Sequence, residues 1–187
     1  MTYARLALSA LLVLGMEGAG CQTATGPQPS APLGGSVSSI TVTSKSVPSD
    51  QQIPVDFSCD GKDVSPQLTW SAPPEGTKAL VIIVNDPNAG SGTFTHWIVI
   101  NLAPDLLSLA EGADPGTMGA KIGLNDFKNT RYNGPCPPRG SMHKYQYRVY
   151  AADYVLPLGE GASRADVDAA LAGHVLGAGE FTALFSH

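Results

Sequence analysis

Apolar and polar positions alternate most cleanly over His143 to Val149, with His143, Tyr145, Tyr147 and Val149 on one face of an extended chain and Lys144, Gln146 and Arg148 on the other. The pattern predicts a strand whose His-Tyr-Tyr-Val face points inward. Phe181, Ala183 and Phe185 repeat the two-residue period later in the chain. Ala79 to Val84 and Trp97 to Ile100 are instead continuously apolar, which fits strands covered on both faces, although periodicity alone leaves a buried helix open. A helical period follows Ser163, where Val167, Ala170, Leu171, His174 and Val175 recur on one side. Ser163 is a suitable N-cap, Asp166 falls in the first turn, and Gly177 is the expected terminator. On that reading His174 sits on the apolar face of the helix and is structural. Many strands and one late helix predict a mainly β protein, an antiparallel β-sandwich with peripheral helices that include one C-terminal helix.

The chain ahead of Ile40 follows a different pattern. Arg5, the apolar run Leu6 to Leu14 and the small residues Gly18-Ala19-Gly20 have the order of a secretory signal, so residues 1–20 are expected to be removed. The apolar run is too short to span a bilayer. Cys21, directly after three small residues, resembles the lipidated cysteine of a bacterial lipobox, although Gly18 stands where leucine is usual. Residues 22–39 are rich in Thr, Gly, Pro, Gln and Ser and cannot bury enough apolar surface to offset the entropy of ordering. Residues 21–39 therefore read as a lipid-anchored flexible linker, and residues 40–187 as one domain. The expected location is the cell envelope of a bacterium, on the periplasmic or outer-membrane side.

Composition narrows the partners. With 43% hydrophobic and 14% charged residues over 187 positions, the chain can bury one sizeable core. A formal charge of −5, without clusters of Lys and Arg, argues against nucleic acid. Any anion must then be captured by local groups. GxSxG, HExxH, CxxC and GxxxxGK motifs are all missing, so no enzyme reading has a signature behind it, and no cofactor or metal is expected.

Three segments carry the candidate chemistry: DGKDVSP at Asp60 to Pro66, DPNAG with THW between Asp86 and Trp97, and GPCPPRGSMHKY at Gly134 to Tyr145. Alone, Asp86 reads as a turn residue and His143 as a core histidine beside a core tyrosine. In order and spacing, the three segments resemble the phosphatidylethanolamine-binding protein family in its bacterial, Raf-kinase-inhibitor-like branch. The resemblance runs from about Ile40 to Phe185. It implies a pocket for a small anion or a phosphate-bearing headgroup, lined by Asp86, His96, His143 and Tyr145, with Gly134, Pro137 and Pro138 forming one wall. Asp86 is assigned an orienting role toward a histidine. The family pattern continues Asp-Pro-Asp-Ala-Pro where this chain has Asn88 and Gly90. The implied fold also brings Cys59 and Cys136 to the same end of the sandwich. In an exported chain these two cysteines are expected to form a disulfide. Two further readings stay open: an interaction protein that inhibits a kinase or protease, and an Asp/His-dependent hydrolase or lyase. A homodimer is likewise left open, and His187 carries no assigned role.

Overall fold

The computed structural model describes residues 36–90 and 92–187; the expected signal, Cys21 and nearly all of the expected linker lie outside the described residues. Among the described residues, nine strands and one α-helix follow in chain order. They are β1 (Ser38–Ser39), β2 (Val42–Thr43), β3 (Leu68–Trp70), β4 (Ala79–Asp86), β5 (Phe94–Leu102), β6 (Ser108–Leu109), β7 (Lys121–Ile122), β8 (His143–Ala152), α1 (Arg164–Leu171) and β9 (Val175–Phe185). Short 3-10 turns occur at Val55–Phe57 and Pro115–Met118. Six strands form one sheet in the order β1-β9-β8-β4-β5-β7, and β2-β3-β6 form a second. All pairings are antiparallel except the short β1–β9 pair.

The continuous apolar runs are strands, and two-sided burial explains why they do not alternate. Leu80, Ile82 and Val84 of β4, with Trp97 and Val99 of β5, face a core shared with Val42, Leu68, Trp70 and Leu109 of the small sheet. Val81 and Ile83, with Ile98 and Ile100, face a second core closed by Leu156 and by Val167 and Leu171 of α1. Every residue of β4 is buried. Each face therefore excludes water on its own, which removes the polar face that would otherwise produce a two-residue period. The strand β8 alternates as its sequence predicts, with Tyr145, Tyr147 and Val149 all turned into the inter-sheet core.

The late helix is shorter than its periodicity suggests. Ser163 does cap it, its hydroxyl accepting from the Asp166 amide while Asp166 returns a bond to the Ser163 amide. The helix nevertheless ends at Leu171, with Ala172 as C-cap, so His174 and Val175 are not helical. Gly173 takes φ 80°, a left-handed conformation that stops a helix at little steric cost. Val175 then starts β9, which pairs along the whole of β8. His174 is exposed in the turn and bonds through Nδ1 to Asp153 Oδ1 at 2.9 Å. Gly177 is a strand residue rather than a cap. A Cβ there would lie 2.8 Å from the Pro74 ring, so the glycine permits close packing.

Candidate functional site

Antiparallel pairing decides where the site forms. The C-terminal end of β4 lies beside the N-terminal ends of both β5 and β8, so Asp86, Phe94, His96 and His143 come together at one end of three neighbouring central strands of the large sheet. On β5 the ladder slips: Val84 pairs with Trp97 and Asn85 with Thr95, leaving His96 as the extra residue of a β-bulge. Bulges re-aim side chains. This one belongs to the lining of a cavity of about 390 Å³ bounded by Asp86, Phe94, His96, Phe127, Pro137, Pro138 and His143, among others.

Each polar group in the cavity is held in a defined way. Asp86 Oδ1 accepts from the Asn88 amide at 2.8 Å and Oδ2 from His143 Nδ1 at 2.7 Å. Both carboxylate oxygens thus have partners within the protein. Asn88, which departs from the family pattern, uses its Oδ1 to accept from the Lys144 amide at 2.8 Å, tying the β4–β5 turn to β8. His96 Nδ1 lies 2.9 Å from the Asn133 carbonyl. A carbonyl only accepts, so this nitrogen carries a proton. Burial pushes the His96 imidazole below its ordinary pKa, outweighing the upward pull of the Asn133 carbonyl and of the Asp86 and Asp126 charges.

Tyr145 lies behind the two histidines, its ring edge-on to His96 with centroids 5.3 Å apart. Its hydroxyl is fully buried and finds no hydrogen-bond partner among the described residues, although Asp86 and the Cys136 main chain are close. Burial, then the Asp86 charge, push the phenol well above its ordinary pKa, so the hydroxyl keeps its proton. No Lys or Arg lines the cavity.

The wall is held from behind. Cys136 is bonded to Cys59. The Cys59 amide donates to the Pro135 carbonyl at 3.1 Å. Asp63 of the DGKDVSP segment, in the left-handed region at φ 56°, accepts from the Gly134 amide at 2.6 Å, Asn133 Nδ2 at 3.2 Å and Arg131 Nη1 at 3.1 Å. Gly134 does not line the cavity. A Cβ there would lie 2.2 Å from the Phe57 carbonyl, so the glycine lets the wall loop dock against the 3-10 turn. Of the other expected residues, Asp86, His96, Pro137, Pro138 and His143 line the cavity directly and Tyr145 lies just behind.

Sequence reasoning did not find Phe94, Phe127, Asp63 or His187. His187 Nδ1 lies 2.5 Å from Asp60 Oδ2 and Nε2 2.6 Å from the Pro137 carbonyl, so it braces the same wall. One of its ring nitrogens and the sulfurs of Cys59 and Cys136 also lie within 4.8 Å of one another. The disulfide occupies both sulfurs, which leaves no thiolate to ligate a metal. Phe94 starts β5 two residues before His96, a spacing that predicts a shared face, and the bulge places both on the cavity.

Two packed sheets, with a cavity at one end of the central strands of the larger one, define a β-sandwich domain. The family profile described as phosphatidylethanolamine-binding protein matches residues 43–186, and the chain belongs to that family. An Aquifex aeolicus protein named UPF0098 is 41% identical over 150 residues, covering 78% of this chain and 88% of the relative. A Mycobacterium tuberculosis protein with the provisional lipoprotein name LppC is 37% identical over 150 residues, covering 80% and 70%. Among solved structures, Escherichia coli YbcL superposes with a TM-score of 0.74 at 32% identity, covering 79% of this chain and 98% of its own. A Chlamydia trachomatis homologue of the family gives 0.74 at 35% identity, covering 80% and 98%.

Proposed function

We propose that this chain is an exported, lipid-anchored binding protein whose cavity accepts a small anion or a phosphate-bearing group. The observation that carries the reading is the Tyr145 hydroxyl, a buried donor without an acceptor among the described residues, at the back of a cavity flanked by two histidines. A buried hydroxyl left unpaired is costly, and an oxyanion supplies the acceptor. Asp86 orients His143, which leaves the far nitrogen of His143 for the ligand. The cavity far exceeds one phosphate group, and Phe94, Phe127, Pro137 and Pro138 offer apolar surface to whatever the anion is attached to. Envelope anchoring rests on Cys21 and on the lipoprotein name carried by LppC.

Binding rather than turnover is favoured by the partners of the histidines. Among the described residues no Ser or Thr hydroxyl bonds to either imidazole, and Cys136 is held in the disulfide.

Amide chemical-shift titration with phosphate and phosphoethanolamine tests the reading. Perturbations are expected at Asp86, His96 and the 134–145 segment. Loss of one hydrogen bond to a charged group corresponds to about 1.5 to 3 kcal/mol, so His143→Ala should weaken binding roughly ten- to a hundredfold. Equal affinities for wild type and variant would place the anion elsewhere.

A further inference from the structure

We infer that Cys59, Cys136 and His187 form a zinc site that becomes available when the Cys59–Cys136 disulfide is reduced. Two thiolates and one imidazole nitrogen are its ligands, and Asp60 holds the imidazole from behind. The site lies behind the proline wall and does not depend on the anion-pocket reading.

Three separate stretches of chain supply the ligands. Cys59 follows the 3-10 turn at Val55–Phe57, Cys136 sits in the wall loop, and His187 follows β9. One ring nitrogen of His187 and the two sulfurs lie within 4.8 Å of one another. The imidazole is wedged between the residues that come directly after the two cysteines, with Nδ1 2.5 Å from Asp60 Oδ2 and Nε2 2.6 Å from the Pro137 carbonyl. The segment that carries it is fixed. The Leu184 amide donates to the Gln51 carbonyl at 2.9 Å, the Ile53 amide to the Leu184 carbonyl at 2.7 Å, and Gln52 Nε2 to the Ser186 carbonyl at 3.3 Å. The two cysteine segments are also held together by bonds other than the disulfide. The Cys59 amide donates to the Pro135 carbonyl at 3.1 Å, the Tyr132 hydroxyl to the Phe57 carbonyl at 3.1 Å, and the Gly134 amide to Asp63 Oδ1 at 2.6 Å. Reduction therefore leaves the two thiols beside each other and beside His187.

A dithiol reductant makes the change. Its thiolate attacks one cysteine sulfur, its second thiol resolves the mixed disulfide, and two electrons and two protons end on Cys59 and Cys136 while the reductant leaves as its own disulfide. Both cysteines are exposed, within reach of that attack. Zinc then displaces the two thiol protons, and no further electron moves. Two thiolates with an imidazole suit zinc, whereas magnesium and calcium take oxygen ligands. Bonds of about 2.3 Å to sulfur and about 2.0 Å to nitrogen put the ligand atoms of a tetrahedral site about 3.5 to 3.8 Å apart, so short movements bring the three together. Ligation through Nε2 takes that nitrogen off the Pro137 carbonyl and leaves Nδ1–H on Asp60, the carboxylate partner that a zinc-bound imidazole commonly has. Water fills the fourth position. Disulfide and zinc exclude each other, so the site reports the thiol state of the chain.

Zinc titration against a chromophoric chelator tests the site. The full chain carries Cys21→Ser, so that only Cys59 and Cys136 supply thiols, and is measured oxidised and after reduction by a phosphine without oxygen. One zinc per reduced chain and none per oxidised chain is expected. Cobalt in place of zinc should give thiolate-to-metal charge transfer and the visible bands of a tetrahedral site. Asp60→Asn should weaken zinc about ten- to a hundredfold, and His187→Ala by more. Both variants keep the cysteines, and reoxidation to the disulfide checks that their loops still meet. A reduced chain that binds no zinc overturns the site. So does equal binding by the oxidised chain, or an unchanged affinity in His187→Ala. Zinc bound by a reduced chain whose amide spectrum has collapsed overturns it as well, because the ligands then belong to an unfolded chain. Failure of the anion titration leaves it standing.

Discussion

At the scale of single residues, Tyr145 places binding and stability in opposition. Its hydroxyl is buried without a partner among the described residues, a situation that costs about 1 to 3 kcal/mol relative to a satisfied or absent group. Tyr145→Phe removes that group and leaves the ring packed edge-on against His96. The variant should gain roughly 1 kcal/mol in urea denaturation while losing about tenfold in phosphate affinity. A loss of stability would mean that the hydroxyl is paired inside the fold, and the anion reading would lose its main support. Neighbouring Tyr147 gives the contrast. Its hydroxyl lies 3.3 Å from that of Tyr132, which lies 3.1 Å from the Phe57 carbonyl, and burial pushes the Tyr147 phenol up to about 12. Tyr147 is equally buried but satisfied, so its alternation in sequence says nothing about function. The two tyrosines look alike as letters and differ only in what surrounds the oxygen.

At the scale of elements, the sequence was most legible where one physical demand dominated. Inward residues of β8 follow from alternation alone, and the apolar runs of β4 and β5 become strands because both faces are covered. Legibility failed where two demands competed. Val167 to Val175 carries a helical period, yet Gly173 and the long pairing of β9 with β8 end the helix at Leu171. The His96 bulge left no mark in the sequence, because a one-residue slip depends on the partner strand. The same holds for the glycines of β9, which serve close approach rather than turning. A Cβ at Gly179 would lie 1.7 Å from the Ile40 carbonyl, where the chain leaves β1. Gly179→Ala should therefore destabilise the fold by about 3 kcal/mol or more in chemical denaturation, whereas Gly159→Ala, with open space around its Cβ, should change stability by no more than about 0.5 kcal/mol. Similar effects for both would remove the packing role of the β9 glycines.

At the scale of the whole molecule, distant parts of the chain meet at the cavity, and two covalent features bear on it, one proposed at Cys21 and one present as a disulfide. The expected linker ends earlier than residue 39, because Ser38–Ser39 already pair with β9 as β1. Cys21 is expected to hold the domain at the membrane through the residues ahead of that strand, so Cys21→Ser should move the exported protein from the detergent phase to the aqueous phase in Triton X-114 partitioning. Identical partitioning would remove the anchor. The second feature is the Cys59–Cys136 bridge, which closes 77 residues of chain. Loop-closure entropy for that length corresponds to about 4 to 5 kcal/mol of stabilisation, commonly less in practice. Its position makes it more than a staple. Cys136 itself lines the cavity, next to Pro137 and Pro138. Asp63 and His187 brace the same wall by hydrogen bonds alone. Reduction should therefore act twice, lowering the denaturation midpoint and loosening the proline wall. Because the wall shapes the cavity while Asp86 and His143 sit on paired strands, phosphate affinity should fall by less than it does in His143→Ala. The Cys59→Ser, Cys136→Ser double variant, compared with oxidised wild type in urea denaturation and in the same amide titration, separates the two effects. A lower midpoint with unchanged affinity would mean that hydrogen bonds suffice to hold the wall. Unchanged stability as well would mean that the bridge closes a loop the fold already keeps shut.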